Sequence, residues 1–129
     1  MRLVWVLDTC DAERLAVFWG AALGYERDEA DPPYTFLRDP GGLRPDLILQ
    51  DVPEPKTGKN RMHLDNVVED LHGEVSRLIG LGAVQRCAPV AEVNGGRLVV
   101  MADPEGNEFC VVREATFPEP VPATAKADG

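Results

Sequence analysis

Four side chains in the second half of the chain have the types that acid–base chemistry or metal binding requires. His63 and Asp65 lie two residues apart in a stretch that reads as a strand, so both project from one face. An aspartate beside an imidazole holds its tautomer and strengthens it as a general base. Glu108 and Cys110 have the same spacing in a later strand. We therefore identify His63, Asp65 and Glu108 as candidate catalytic residues, with a structural histidine bonded to a neighbouring strand as the equal alternative for His63.

Further residues are expected to line a binding site beside this group. Asp8 ends an alternating apolar strand and could supply a second carboxylate, or only accept from backbone amides there. Arg61 belongs to a basic cluster in an acidic chain and could steer an anionic substrate, or be part of a solvated linker. Cys110 could act as a thiolate activated by an imidazole, or be a packed thiol, which we favour. The predicted substrate-binding residues are Asp8, Gln50, Phe36, Cys110 and Arg61.

Two helices must position these strands, and the sequence marks both ends of each. Asp11 precedes Gly24 by 13 residues and Asp70 precedes Gly82 by 12, with an amphipathic stretch between each pair. Aspartate accepts the free amides of a first helical turn, and glycine takes the left-handed conformation that ends a helix. The near-equal spacing predicts that one helical unit occurs twice.

Strands and turns repeat around the helices in the same order. Each helix is followed by strands, an Asp-Pro-X-Gly turn (39–42 and 103–106) and another apolar strand. Asn94-Gly95-Gly96 predicts a hairpin, because these residues tolerate positive φ. The predicted strands are 2–8, 25–28, 34–38, 46–52, 61–67, 84–92, 97–102 and 107–113.

This order predicts an α+β fold of two tandem βαβββ units, with any cleft between them. The units are residues 1–52 and 60–114, joined by linker 53–59, and they form one domain over 1–116. Residues 117–129 contain three prolines and show no periodicity, so they predict a mobile C-terminal tail.

Composition restricts the partners and the compartment. The net charge of −9 disfavours nucleic acid and anionic membranes, and no apolar run is long enough to span a membrane. Three cysteines without framework spacing predict free thiols. The start of the chain lacks the pattern of a signal peptide, so we expect a cytoplasmic protein.

Several spaced motifs, taken together, resemble the vicinal oxygen chelate superfamily over residues 1–114. They are the paired βαβββ units, FW-x-x-x-LG at 18–24, KNRMHLD at 59–65 and DPEGNEFCVV at 103–112. That superfamily includes glyoxalase I, extradiol dioxygenases, fosfomycin-resistance enzymes and bleomycin-binding proteins, and the short glyoxalase-like domain proteins are most similar. The resemblance implies a cup-shaped, partly closed sheet with helices outside, a homodimer, and a divalent metal between the two halves.

The metal positions implied by the resemblance are incomplete here. The first-strand ligand lies seven residues before the helix-start aspartate, which is His63 in the second unit but Val4 in the first. The last-strand glutamate position, seven residues after the turn aspartate, is Cys110, which would face His63 across the cup. In the first unit we favour Gln50 for that position. The alternatives on the same strand face are Asp46 and Ile48.

These observations predict a protein that recognises a small organic molecule in its cup. As an enzyme it would be a lyase or isomerase with His63 as general base; as a binding module it would sequester a ligand without metal, as bleomycin-resistance proteins do. Zn²⁺, Ni²⁺, Mn²⁺ or iron on His63 and Cys110 is possible but not favoured, because a tight site needs three or four ligands. An accessory interaction protein is the least favoured class, since it explains none of the polar strand face.

Overall fold

The structure, a computed structural model, describes residues 1–92 and 95–115. The first unit contains β1 (Val4–Thr9), α1 (Ala12–Leu23), β2 (Glu26–Arg27), β3 (Tyr34–Arg38) and β4 (Asp46–Asp51). The second contains β5 (Asp65–Val67), α2 (Leu71–Leu81), β6 (Val84–Gln85), β7 (Val90–Ala91), β8 (Arg97–Ala102) and β9 (Glu108–Arg113). The α+β class is confirmed, and the second unit adds one short strand to the expected βαβββ order. The predicted tail 117–129 and the Asn94 position of the predicted hairpin lie outside the described residues.

Both helices begin and end where the sequence predicts. The carboxylates of Asp11 and Asp70 accept the backbone amide three residues on, at 3.1 and 2.9 Å. Gly24 and Gly82 follow the last helical residues with φ of 69° and 116°. In the described part of the chain, neither helix is long and apolar enough to cross a membrane.

Hydrogen bonds divide the strands into two sheets, and these do not close into a barrel. The first has the order β1-β4-β3-β2, and the second has the order β5-β9-β8-β6 with β7 also paired to β8. In each sheet the strand before the helix pairs in parallel with the last strand of its unit. Strands β1 and β5 are therefore edge strands, one in the sheet of each unit.

The two predicted strands that differ most from the structure are 61–67 and 84–92. The predicted strand 61–67 is regular only over Asp65–Val67. Before it, the Leu64 carbonyl accepts the Cys110 amide, and the Asn60 amide donates to the Glu108 side chain. The predicted strand 84–92 is interrupted and forms only β6 and β7. Pro89 lies in the interruption, and a proline cannot donate to a ladder.

The two units share one hydrophobic core, and aromatic rings join them. The ring of Trp19 on α1 lies 5.1 Å from that of Phe18 and 5.1 Å from that of Phe109 on β9, both edge to face. Trp19 also donates its indole Nε1–H to Oδ2 of Asp103 at 2.9 Å. A second link is formed by Glu105, which accepts the Thr9 hydroxyl and, at 2.9 Å, the Cys10 amide.

Candidate functional site

An apolar crevice lies where the edge of β1 faces the segment that leads into β5. Its volume is about 270 Å³. Its walls come from both units, so the cleft between the units that the sequence predicts is present. The apolar lining includes Val4, Trp5, Leu47, Leu64 and Phe109; the polar lining is Asn60, His63, Asn107 and Glu108.

His63 is oriented by Asp65 at the wall of this crevice. The Nδ1 of His63 lies 3.0 Å from Oδ1 of Asp65, and the two side chains are 39% and 50% exposed. An ionised carboxylate can only accept, so Nδ1 carries the proton in the neutral ring and Nε2 keeps its lone pair. The imidazole is therefore held in the tautomer that a general base needs.

Cys110 completes a group of three close side chains but is not poised as a nucleophile. The ligand-capable atoms of His63, Asp65 and Cys110 all lie within 4.8 Å of one another. Burial, together with the charge of Asp65, raises the pKa of the Cys110 thiol to about 11. Because β9 neighbours β5 in the same sheet, Cys110 lies beside His63 rather than across a cup from it.

Glu108 lines the crevice, and its carboxylate already has an ion pair and a hydrogen bond. Its Oε1 lies 3.0 Å from Nζ of Lys56 and accepts the Asn60 amide at 3.0 Å. These contacts, the Asn60 amide foremost and then Lys56, lower the pKa of Glu108 to about 2. Glu108 thus lies in the crevice as predicted, but as a fixed negative charge rather than as a proton donor.

The predicted substrate-binding residues are divided between three places. Asp8 and Arg61 line an adjoining groove of about 380 Å³, which shares Asn60 with the crevice. Phe36 and Gln50 lie on the first sheet, on the face turned away from α1, and line no part of the crevice. Cys110 touches the His63 group from β9.

Several crevice residues were not predicted from the sequence. Trp5 and Trp19 both line the crevice, although their positions in an apolar strand and on the apolar face of a helix are typical of core residues. The residue type of Asn60 and Asn107 does not by itself indicate a place in a binding site. Asn107 directly precedes β9 and Asn60 lies three residues before His63, and these positions are the feature that could have indicated them.

The comparisons with known proteins agree with this geometry. Residues 5–112 match the family model described as the glyoxalase-like domain. The chain belongs to this family. No curated protein matches it in sequence.

Solved structures show the same fold as this glyoxalase-like domain at low sequence identity. A glyoxalase/bleomycin resistance protein/dioxygenase family enzyme from Burkholderia phytofirmans PsJN superposes with a TM-score of 0.74 at 20% identity, covering 88% of this chain and 99% of that one. A lactoylglutathione lyase from Agrobacterium tumefaciens gives 0.63 at 18% identity, with 88% and 92% covered. A fosfomycin resistance protein from Mesorhizobium loti gives 0.69 at 15% identity, with 90% and 93% covered. The expected membership of the vicinal oxygen chelate superfamily is confirmed.

Strand register identifies which first-unit residue corresponds to Cys110 in this glyoxalase-like domain. Val6 and Asp65 each lie five residues before the aspartate that begins the helix. Val6 pairs with Ile48, and Asp65 pairs with Cys110. Ile48, not Gln50, therefore occupies the equivalent position.

The divalent metal that the fold family implies does not fit a site shared by the two units. The first unit offers Val4 and Ile48, which have no donor atom, and the second offers His63 and Cys110. Two donors are fewer than a tight metal centre requires. No chemistry that depends on such a shared metal follows from these residues.

Proposed function

We propose that this glyoxalase-like domain binds a small, largely apolar organic molecule in the crevice and that His63 acts there as a general base. The reaction class would be a lyase or an isomerase. The observation that carries the proposal is the 3.0 Å contact between His63 Nδ1 and Asp65 Oδ1 at the wall of an apolar crevice. A crevice of about 270 Å³ is near the lower end, about 300 Å³, of ordinary ligand pockets.

The proton transfer uses groups that the crevice holds. The Nε2 lone pair of His63 accepts an acidic proton from the bound molecule, and the electron pair left behind moves into its neighbouring carbonyl. Asp65 stabilises the imidazolium that forms. In an isomerisation the proton then returns at another atom. In an elimination a group on the neighbouring carbon leaves with its bonding electron pair and takes the proton from the imidazolium. Asp65 is a positioning residue in this scheme, because it acts through His63.

A panel of small cyclic and aromatic ketones in deuterated water tests the base directly. We expect wild-type protein to exchange the acidic C–H protons of at least one bound ketone, as followed by proton NMR. His63→Gln should slow exchange by about 10²–10⁴-fold. Asp65→Asn should lower kcat while KM stays nearly constant, and His72→Gln, on exposed α2, should change neither.

A second candidate function is sequestration of the ligand without chemistry. It is supported by Glu108, which is engaged by Lys56, and by Cys110, whose raised pKa keeps it a thiol. These two residues leave His63 without an obvious acid partner in the described crevice. Ketones that bind the wild type without any exchange would overturn the base role and favour sequestration.

We also propose that two copies associate through the sheet faces turned away from the helices. Val6 on β1 and Val67 on β5 are 54% and 44% exposed on these faces. Burial of such apolar surface drives association. Val6→Asp with Val67→Asp should shift sedimentation toward the monomer, whereas Val17→Asp on exposed α1 should not. A cytoplasmic location remains part of the proposal and is supported by the three free cysteines.

A further inference from the structure

Three side chains of the second unit bring together three kinds of metal donor. His63 precedes β5, Asp65 begins it, and Cys110 lies directly opposite Asp65 on β9. An imidazole nitrogen, a carboxylate oxygen and a sulfur thus lie within 4.8 Å of one another. Two of these atoms, His63 Nδ1 and Asp65 Oδ1, are already 3.0 Å apart.

We propose that His63, Asp65 and Cys110 bind a divalent cation of the zinc class within the second unit alone. Zinc accepts nitrogen, sulfur and carboxylate oxygen at about 2.0–2.3 Å, so tetrahedral ligand atoms lie roughly 3.3–3.8 Å apart. The ligand atoms now lie within 4.8 Å of one another, so side-chain shifts of about 1 Å would bring them to that separation. This site differs from the metal site shared by two units that the fold family implies. All three of its ligands come from the second unit, and Asp65 supplies the third.

The charge around the three ligands favours a cation. Asp65 and Glu92 both place negative charge near the Cys110 sulfur. On binding at Nδ1, the neutral imidazole of His63 changes to the tautomer with its proton on Nε2, and the Cys110 thiol becomes a thiolate. One proton, from the Cys110 sulfur, leaves to solvent, so no oxidant or other reactant is needed.

The fourth coordination position of this site would be open. Cys110 is buried, but the side chains of His63 and Asp65 are 39% and 50% exposed. An ion held by three protein ligands with one open position can take a water or a ligand atom. The inference goes beyond the proposed function and does not depend on it, because metal binding is measured without any substrate.

Cobalt(II) titration of chelator-treated, tag-free protein tests the site, because thiolate coordination produces a charge-transfer absorption band. We expect a band that saturates at one cobalt per chain and that zinc abolishes by competition. Cys110→Ser should remove the band. Asp65→Asn and His63→Ala should raise the cobalt dissociation constant at least about tenfold. Cys10→Ser and His72→Ala are the matched controls and should bind as wild type does.

Three outcomes would overturn the site: no charge-transfer band in the wild type, a band that persists in Cys110→Ser, or a band lost in Cys10→Ser. If Cys110→Ser fails to fold, the exposed Asp65→Asn decides, since unchanged cobalt affinity in that variant also rejects the site. Ketone exchange is measured on metal-free protein, so failure of the metal site leaves the base proposal standing, and the reverse also holds.

Discussion

The indole of Trp19 donates to the carboxylate of Asp103 at 2.9 Å, and this bond joins the helix of the first unit to the closing turn of the second. Asp103 is 1% exposed and also accepts the amides of Glu105 and Asn107 and the side-chain amide of Asn107. Trp19, Asn107 and Phe109 all line the crevice. The same contact that holds the units together therefore shapes one wall of the candidate site.

Trp19→Phe should destabilise the protein more than Trp5→Phe does. The first change removes a donor from a buried carboxylate, which costs roughly 1–3 kcal/mol in the free energy of unfolding. The second replaces tryptophan by phenylalanine in the same crevice but leaves the hydrogen bonds of Asp103 unchanged. Urea denaturation measures the free energy of unfolding of both variants. The fluorescence of the one remaining tryptophan in each variant follows the transition. Equal losses would show that the Asp103 bond contributes nothing.

Acid should remove a stabilising contribution that depends on Asp39 in the first Asp-Pro turn. The Arg44 side chain, followed by backbone amides including those of Gly41 and Leu43, holds the pKa of Asp39 well below its usual value of 3.8. A lowered folded-state pKa stabilises the protein above the unfolded pKa and less as pH falls below it. Asp39→Asn should lower the melting temperature at pH 7, and the gap to wild type should narrow below about pH 3.8.

Asp28→Asn is the control for that experiment, because its ion pair with Arg38 is solvent-exposed. Exposed pairs contribute little, so its melting temperature should stay near wild type throughout. A gap for Asp39→Asn that stays constant between pH 7 and pH 2.5 would contradict the account.

Two glycines of α2 should respond in opposite ways to alanine. A Cβ at Gly80 meets nothing within 4 Å, so Gly80→Ala should stabilise the helix by about 0.5–1 kcal/mol. A Cβ at Gly73 would lie 2.2 Å from Oδ2 of Asp70, the carboxylate that caps the helix. Gly73→Ala should therefore lower stability through the lost cap. Thermal unfolding compares the two, and equal gains would reject the role of the cap.

The helices could be predicted from sequence because their signals are local. Asp11 and Asp70 each bond an amide three residues away, and Gly24 and Gly82 relieve strain within one residue. Such signals do not depend on the rest of the fold.

The details of the site could not be predicted, because they depend on distant contacts and loop length. The Asn60 amide, just before the predicted strand 61–67, donates to Glu108, which lies 48 residues away. The position equivalent to Cys110 is Ile48 because the loop between β3 and β4 (39–45) has seven residues, whereas the loop between β8 and β9 (103–107) has five. Asp65 could be paired with His63 from strand alternation, but its approach to Cys110 required the register between β5 and β9.

The most direct test of the account is the long-range proton–nitrogen NMR spectrum of the two imidazoles during titration with the ketone panel. The chain has two histidines, so His72 on α2 serves as an internal control. We predict that metal-free His63 shows the Nδ1–H tautomer and that its Nε2 signal moves on ketone binding, while the His72 signals stay fixed. Val4→Phe, which fills the crevice, should abolish the shift. An Nε2–H tautomer at His63, or ketone binding that leaves the His63 signals unmoved, would contradict the proposed site.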